Sequence, residues 1–362
     1  MTAGNGATPA PAAPRPSRRW APIVAVAAVV VVLAVVAVPQ VFLRTDVPES
    51  LPGPTTTAPT PPATSPPADF PGCDDDAPIG SAGDPTASLR PAGPATPAVA
   101  PESYMGTIQQ RGRLRVGVSA TNLLFSTVDP FTGEFEGFDV DIAKEVAIAL
   151  FGDADPEHIE FVVIPQTDRV TVLTNPQSDI DMVASTFSIT CSRQADIDFS
   201  SEYFTSGQRL LVPAEDAAGE VTIDTLAAEA QQSEDRGRVC AAEGSTSIEV
   251  LRTWQPRPNP VAPTTHAECL ALLQQGEVDA VSTDDTLLAG FKVQDRNVEI
   301  VGDRLTDEHY GLGLPPQRDE WVRYVNAVLE GVRSSGRWDA IYARWLSGAL
   351  DLQQPPAAVY SD

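Results

Sequence analysis

Segments typical of buried strands and of amphipathic helices alternate along most of this chain, and that alternation limits its fold more than any other feature. The runs 114–118, 158–164, 180–185, 280–283 and 298–301 are short and largely apolar, as buried strands are, whereas 267–275 and 319–334 have the helical spacing of apolar residues. Strands that alternate with helices form a sheet with helices on both faces. The sequence therefore predicts an α/β fold.

The segment 137–150, GFDVDIAKEVAIAL, is the most distinctive of the predicted helices. Apolar residues such as Ile142 and Val146 recur at helical spacing on one face. Asp139 and Asp141 stand in the first turn, where negative charge suits the helix dipole. Local physics alone predicts an ordinary surface helix whose acids need no ligand to explain them.

Composition excludes some classes of partner. The formal net charge is −25, and lysine occurs only as Lys144 and Lys292. Because no basic stripe is available to meet phosphates, nucleic acid is not an expected partner, although local arginines can still bind a small anion. No Cys-x-x-Cys or paired-His spacing is present, and His158, His266 and His309 are expected to be structural or exposed. Neither a metal nor a cofactor is predicted.

The run 21–43 contains no charged residue and is dominated by Val, Ala, Ile and Leu. At about 1.5 Å per residue it is long enough to cross a hydrocarbon core of about 30 Å. The arginines before it favour a cytoplasmic location for residues 1–20. A cleaved signal peptide is the alternative, but Ala37-Val38-Pro39 fits a cleavage site poorly. We expect a single-pass anchor in the cell membrane.

Residues 44–103 are rich in Pro, Thr and Ala and contain few large apolar side chains. Such a composition cannot bury enough surface to offset the entropy of ordering, so an extended tether is predicted. Folded sequence is expected from Tyr104 to about Leu350, followed by a Pro-rich tail at 351–362.

The order of residue types in 137–150 (Gly, aromatic, acid, aliphatic, acid, aliphatic, then Ala-x-x-Val-Ala) resembles a family signature. It is that of the bacterial extracellular solute-binding proteins of family 3, which bind polar amino acids. The resemblance extends over 108–348 and is strongest to actinobacterial glutamine- and glutamate-binding proteins. It implies a two-lobed type II periplasmic-binding-protein fold with a central cleft and a two-strand hinge. Lobe 1 would comprise 104–207 and 313–350, and lobe 2 would comprise 208–312.

An α-amino acid requires a guanidinium or helix N-terminal amides for its carboxylate and an acid for its ammonium. The run 185–193, STFSITCSR, follows a predicted strand at a sheet edge, where α/β proteins bind ligands. The resemblance implies that Arg193 holds the carboxylate, assisted by Ser188 and Thr186. It also brings Thr246 and Ser247, in a predicted helix N-terminus, to this carboxylate.

For the ammonium, the resemblance implies an acid at the end of the strand 280–283. Asp284 matches best, Asp285 is one step away, and helix capping is an alternative role for either. Thr167 and Arg169 match residues that contact a distal carboxylate in the branch that binds aspartate and glutamate. Glutamate or aspartate is therefore favoured over glutamine, although Arg169 could equally be a surface residue.

The chain has four cysteines, an even number that suits an oxidising compartment. The resemblance implies a disulfide between Cys240 and Cys269. Cys73 and Cys191 would then tie the tether to the ligand-binding loop.

Taken together, these features predict an extracytoplasmic, membrane-tethered binding protein for a polar amino acid. It would present its closed form to an ABC permease or to a membrane sensor protein. The alternative is an enzyme on the same fold, such as a dehydratase or a murein lyase. Because the sequence has no Ser-His-Asp order and no nucleotide-binding Gly-rich loop, a non-enzymatic role is expected.

Overall fold

The computed structural model of the protein describes residues 84–361. The predicted anchor at 21–43, most of the predicted tether and Cys73 lie outside this range. Within it, no helix combines the length and the apolar character needed to cross a membrane.

Helices and strands alternate along the described residues. The helices are α1 Tyr104–Arg111, α2 Phe138–Phe151, α3 Arg169–Thr174, α4 Cys191–Gln194, α5 Ile223–Ala230, α6 Thr246–Thr253, α7 His266–Gln274, α8 Asp285–Gln294, α9 Asp319–Ser334 and α10 Arg337–Trp345. The strands are β1 Leu114–Val118, β2 Thr121–Asn122, β3 Ser126–Val128, β4 Phe135–Glu136, β5 Ile159–Val163, β6 Met182–Val183, β7 Asp198–Phe199, β8 Phe204–Pro213, β9 Arg238–Cys240, β10 Asn259–Val261, β11 Ala280–Asp284, β12 Val298–Tyr310 and β13 Gly313–Leu314.

Two five-stranded sheets define two lobes. The first has the order β5-β1-β6-β13-β7 and the second has the order β10-β9-β11-β8-β12. In each sheet the three strands at one edge, β5-β1-β6 and β10-β9-β11, are parallel, and the remaining two strands are antiparallel to their neighbours. The two-lobed α/β fold expected from the sequence is thereby confirmed.

The long antiparallel pair β8 and β12 connects the two sheets. Its register runs from Phe204 opposite Tyr310 to Pro213 opposite Val298. Gln208 already pairs with Asp284 in the second sheet, so the chain leaves the first lobe before that residue. Polar residues of both strands therefore lie at the junction of the lobes.

The surroundings of helix α2 explain its distinctive sequence. Gly137 has φ +131°, and a Cβ atom there would lie 2.3 Å from the carbonyl carbon of Phe125. The prediction that α2 is an ordinary surface helix is wrong, because Asp139 is fully buried and Asp141 is nearly so. Asp141 accepts a hydrogen bond from the indole nitrogen of Trp345 at 2.8 Å. The helix begins inside the first lobe rather than at its surface.

The described part of the predicted tether lies on the first lobe instead of extending away from it. Ser88 pairs with Tyr360 of the C-terminal tail, and its hydroxyl donates to the carbonyl of Phe199 at 2.9 Å. Asn326 of α9 donates to the carbonyl of Leu89 at 2.7 Å. Both ends of the described chain are thus held against the same lobe.

A disulfide joins Cys240 of β9 to Cys269 of α7, with a sequence separation of 29. Cys191 is also disulfide-bonded, and its predicted partner Cys73 lies outside the described residues. The Cys240–Cys269 bond closes a loop within the second lobe, which restricts the unfolded chain.

Replacing Cys240 and Cys269 together with serine should lower the free energy of unfolding by about 3 kcal/mol, the value expected for a loop of this length. Urea denaturation followed by circular dichroism measures the change. Because the loop lies within the second lobe, the native circular dichroism spectrum should persist at urea concentrations below the new midpoint. An unchanged denaturation midpoint would contradict the expected constraint on the unfolded chain.

Candidate functional site

A pocket lies between the lobes and is lined by residues from both. The lining residues are Gln166, Arg169, Thr186, Ser188 and Arg193 from the first lobe and Ser245, Thr246, His266, Thr283 and Asp284 from the second. Of the eight ligand-binding residues predicted from the sequence, all except Thr167 and Ser247 line it. The lobes approach closely here, since a Cβ atom on Gly244 would lie 3.1 Å from the Cα of Thr167.

Two guanidinium groups converge on a single oxygen atom in this pocket. Arg169 and Arg193 of the first lobe each direct Nη2 to the carbonyl oxygen of Gly244 in the second lobe, at 3.0 and 3.2 Å. Both guanidiniums stack on the ring of Phe187, with centroid distances of 4.3 and 4.8 Å. The carbonyl oxygen of Gly244 thus occupies a position in which an acceptor from the second lobe contacts both cations.

Other donors of these two arginines bond to carbonyl groups of the first lobe. Arg193 Nη1 donates to Ser188 at 2.6 Å, and Arg169 donates to Gln166 and Ser185, each at 3.1 Å. Burial and the charge of Arg193 hold the pKa of Arg169 well below its usual range, and burial lowers the pKa of Arg193 to about 10. Two buried like charges side by side strongly favour an anion between the lobes.

Asp284 is the acid that faces this pocket. It lies at the end of β11, is 5% exposed, and accepts hydrogen bonds from the hydroxyl groups of Tyr310 and Ser247. Asp285 is engaged elsewhere, since it accepts a hydrogen bond from Ser206 at 2.7 Å and pairs with Arg304 at 2.7 Å. Asp284 precedes α8 but makes no side-chain capping hydrogen bond. The geometry therefore favours Asp284 over Asp285 and does not support the capping alternative.

A second buried acid, Glu308 of β12, was not anticipated from the sequence. It is 2% exposed and accepts hydrogen bonds from Thr246 and Thr306, both at 2.8 Å. Thr246 lines the pocket, so this predicted residue connects Glu308 to the site. Glu308 lies in the strand that returns to the first lobe, and acidic residues in such a polar segment carry no distinguishing pattern.

The backbone at Thr186 is strained, with φ +40° in a residue other than glycine. Strain of this kind requires support from surrounding groups. Asp139 of α2 accepts a hydrogen bond from the Thr186 amide at 2.7 Å, and Asn122 donates to its hydroxyl at 3.3 Å. The buried acid of the distinctive helix therefore shapes the loop that carries Thr186 and Ser188.

The remaining predicted residues and the other pocket residues take several different positions. His266, expected to be structural or exposed, lines the pocket, and burial lowers its pKa to about 3. Among the described residues, the buried Oε1 of Gln166 has no hydrogen-bond partner. The side chain of Thr167 is exposed, and Ser247 contacts Asp284 from outside the lining. In residues 84–361, no group of three or more His, Cys, Asp and Glu side chains is arranged to hold a metal.

In this two-lobed α/β fold, the cleft between the lobes has cations on one side and acids on the other, an arrangement complementary to a small zwitterionic molecule. The sequence profile of the bacterial extracellular solute-binding proteins, family 3, matches residues 114–348. The chain belongs to this family.

Individual relatives agree with this assignment. The glutamine-binding protein of an ABC transporter from Bacillus subtilis is 31% identical over 242 residues, which is 67% of this chain and 84% of the relative. The glutamate-binding protein of Corynebacterium glutamicum is 31% identical over 214 residues, 57% of this chain and 69% of the relative. The solved structure of an ancestral amino-acid-binding protein, a precursor of cyclohexadienyl dehydratase, has a TM-score of 0.59 and 29% identity, and covers 67% of this chain and 99% of that chain.

Proposed function

We propose that the protein binds glutamate or aspartate outside the cytoplasm, with glutamine as the next candidate. The observation that carries the proposal is the convergence of Arg169 and Arg193 on one oxygen atom, with Asp284 on the opposite lobe. A ligand carboxylate would replace that neutral carbonyl with a charged acceptor, and a guanidinium binds a carboxylate through two parallel hydrogen bonds. Asp284 would take the ammonium.

A second carboxylate on the ligand would account for the second arginine. Arg193 would hold the α-carboxylate, with Thr186, Ser188, Thr246 and Ser247 assisting through hydroxyl and amide groups. Arg169 Nη2 points across the cleft while its other donors are fixed to the first lobe, so it offers one directed bond to a distal carboxylate or amide. Thr167, which is exposed and lies close to Gly244 of the second lobe, would assist at the distal group. Named relatives for both glutamine and glutamate fit this range of ligands.

For its cellular setting, we propose a single-pass anchor at 21–43 and a partner in the membrane, either an ABC permease or a sensor protein. Membership of an extracellular solute-binding family supports a location of the ligand-binding domain outside the cytoplasm. An anchored domain would stay close to a membrane partner at high effective concentration. N-terminal sequencing of the mature protein tests the anchor, since a chain that begins after about residue 40 would exclude it.

Calorimetric titration of the full-length protein with glutamate, aspartate, glutamine and asparagine tests the proposed ligand class. We expect glutamate or aspartate to bind most tightly, because each supplies a second anion for two arginines. Proton NMR of the same mixtures addresses the enzyme alternative, since a dehydratase would consume its substrate while a binding protein leaves it unchanged. Titrations with the complete set of amino acids that produced no heat would refute the proposal.

A further inference from the structure

Asp284 and Glu308 form a pair of buried acids on one side of the cleft. In the second sheet β8 lies between β11 and β12, with Gln208 opposite both Asp284 and Thr306. Glu308 is two residues beyond Thr306, so it projects from the same face of the sheet. The exposed fractions of Asp284 and Glu308 are 5% and 2%.

Hydroxyl groups, rather than cations, contact these carboxylates. Tyr310 and Ser247 donate to Asp284, and Thr246 donates to Glu308. In residues 84–361, neither acid forms an ion pair within 4.0 Å. Two buried carboxylates that share a site disfavour each other's charged form.

The other titratable groups near this pair already have hydrogen-bond or ion-pair partners. Arg169 and Arg193 of the first lobe donate hydrogen bonds to carbonyl groups, and their charges interact electrostatically with both acids. Asp285 pairs with Arg304, and His309, next to Glu308 in β12, bonds to Glu202 at 2.9 Å.

The protonation of the cluster follows from these positions. Burial and the charge of Glu308 raise the pKa of Asp284, with a smaller contribution from Asp285. Burial keeps His266 neutral by lowering its pKa to about 3, and the pKa of Tyr310 is raised well above its usual value. Asp284, with Glu308 beside it, is thus the pocket residue whose proton content can change with ligand.

We propose that Asp284 and Glu308 share one proton before the ligand binds, and that the ligand's ammonium group displaces this proton and is then held by both carboxylates. The inference rests on the proposed function and makes Glu308 a second ammonium-positioning residue. The O–H bond of the shared carboxylic acid breaks, its electron pair stays on the carboxylate, and the proton passes to buffer. The ammonium keeps its three protons throughout.

The charges explain why the exchange is favourable. With one proton on the pair, the two acids together carry one negative charge, and the two arginines supply two positive charges for the two carboxylates of glutamate. When the ammonium arrives it supplies the positive charge that the proton had provided, so both carboxylates can ionise without unpaired repulsion. A dicarboxylate without the ammonium, such as 2-oxoglutarate, has no group that can displace the proton.

The test is calorimetric titration of the full-length protein with glutamate at one pH in phosphate and in Tris, whose ionisation enthalpies differ. We expect the difference in heat to correspond to release of close to one proton per glutamate bound. Affinity should rise by up to about tenfold per pH unit between about pH 6 and about pH 8. Glutamate should also bind far more tightly than 2-oxoglutarate.

Glu308→Gln should reduce the number of protons released and flatten the pH dependence of affinity. Asp307→Asn is the matched control, because Asp307 is the adjacent exposed acid and pairs with Arg304 outside the cleft. Tight glutamate binding with equal heats in the two buffers would overturn the shared proton, even if Glu308→Gln failed to fold. Absence of binding by any amino acid would instead refute the proposed function.

Discussion

Replacing Arg193 with alanine should abolish measurable binding of the amino-acid ligand. The substitution removes a guanidinium that bonds to Ser188 and reaches Gly244 across the cleft, and it leaves the ligand carboxylate without its main partner. Loss of one member of a buried, hydrogen-bonded charge pair costs about 2–5 kcal/mol, which is on the order of 30-fold to several thousand-fold in affinity. Calorimetric titration with glutamate and aspartate measures this loss.

Two further variants separate the role of Arg193 from a general effect of charge. Arg193→Lys keeps the positive charge but loses the paired donors, so we expect an intermediate loss of affinity. Arg209→Ala removes the same charge from β8, where Arg209 bonds to the carbonyl of Gly302, and should bind normally. If Arg193→Ala bound glutamate within a few-fold of the unaltered protein, the assignment of the carboxylate site would be wrong.

Elements that bury apolar residues were predictable from the sequence, and the polar connecting strands were not. The strand Leu114–Val118 and the helix Asp319–Ser334 have the bounds expected from their apolar patterns. In contrast, the run 298–301 is only the start of β12, which continues to Tyr310 through Asp303 and Asp307. Pairing with β8 determines the length of this strand, and no local property of its acidic residues indicates it.

The strand predicted at 180–185, in contrast, is longer than the strand that forms. Only Met182 and Val183 belong to β6, although the residues around them are buried. The amides of Asp181 and Ala184 still donate hydrogen bonds to the carbonyls of Arg115 and Gly117 in β1, so the regular strand ends while its flanking residues remain bonded to the sheet. A pattern of hydrophobicity does not show where the regular pairing ends.

The site was predictable where a local motif supplied it. Arg193 and Asp284 stand in recognisable runs at the ends of strands. His266 reaches the pocket, and Glu308 reaches the lining residue Thr246, only through tertiary packing. Asp139 is the clearest case of this limit. Its position in the first turn of a helix is compatible with solvent exposure, and only the approach of Tyr203 and Thr186 makes it a buried acid.

Replacing Asp139 with alanine should lower the free energy of unfolding by about 3 kcal/mol. The Tyr203 hydroxyl, which donates to Asp139 at 2.6 Å, and the Thr186 amide would both lose their acceptor in a buried environment. Thr186, with φ +40°, would lose the support that holds its strained backbone, so weaker ligand binding should accompany the loss of stability. Urea denaturation measures the first effect and calorimetric titration the second.

The carboxyl of Asp139 should also make stability depend on pH in a definite direction. Burial raises the pKa of Asp139 from 3.8 to about 7, so the folded protein holds this proton more tightly than the unfolded chain. The stabilisation that comes from this bound proton is fully present below about pH 4 and is lost as the pH rises to about 7. Asp139→Asn cannot titrate at this position. Relative to that variant, the free energy of unfolding of the unaltered protein should fall by on the order of 2 kcal/mol between about pH 5 and about pH 7.5. A constant difference between the two proteins over this range would mean that Asp139 is ionised throughout, with the nearby charge of Arg169 compensating its burial.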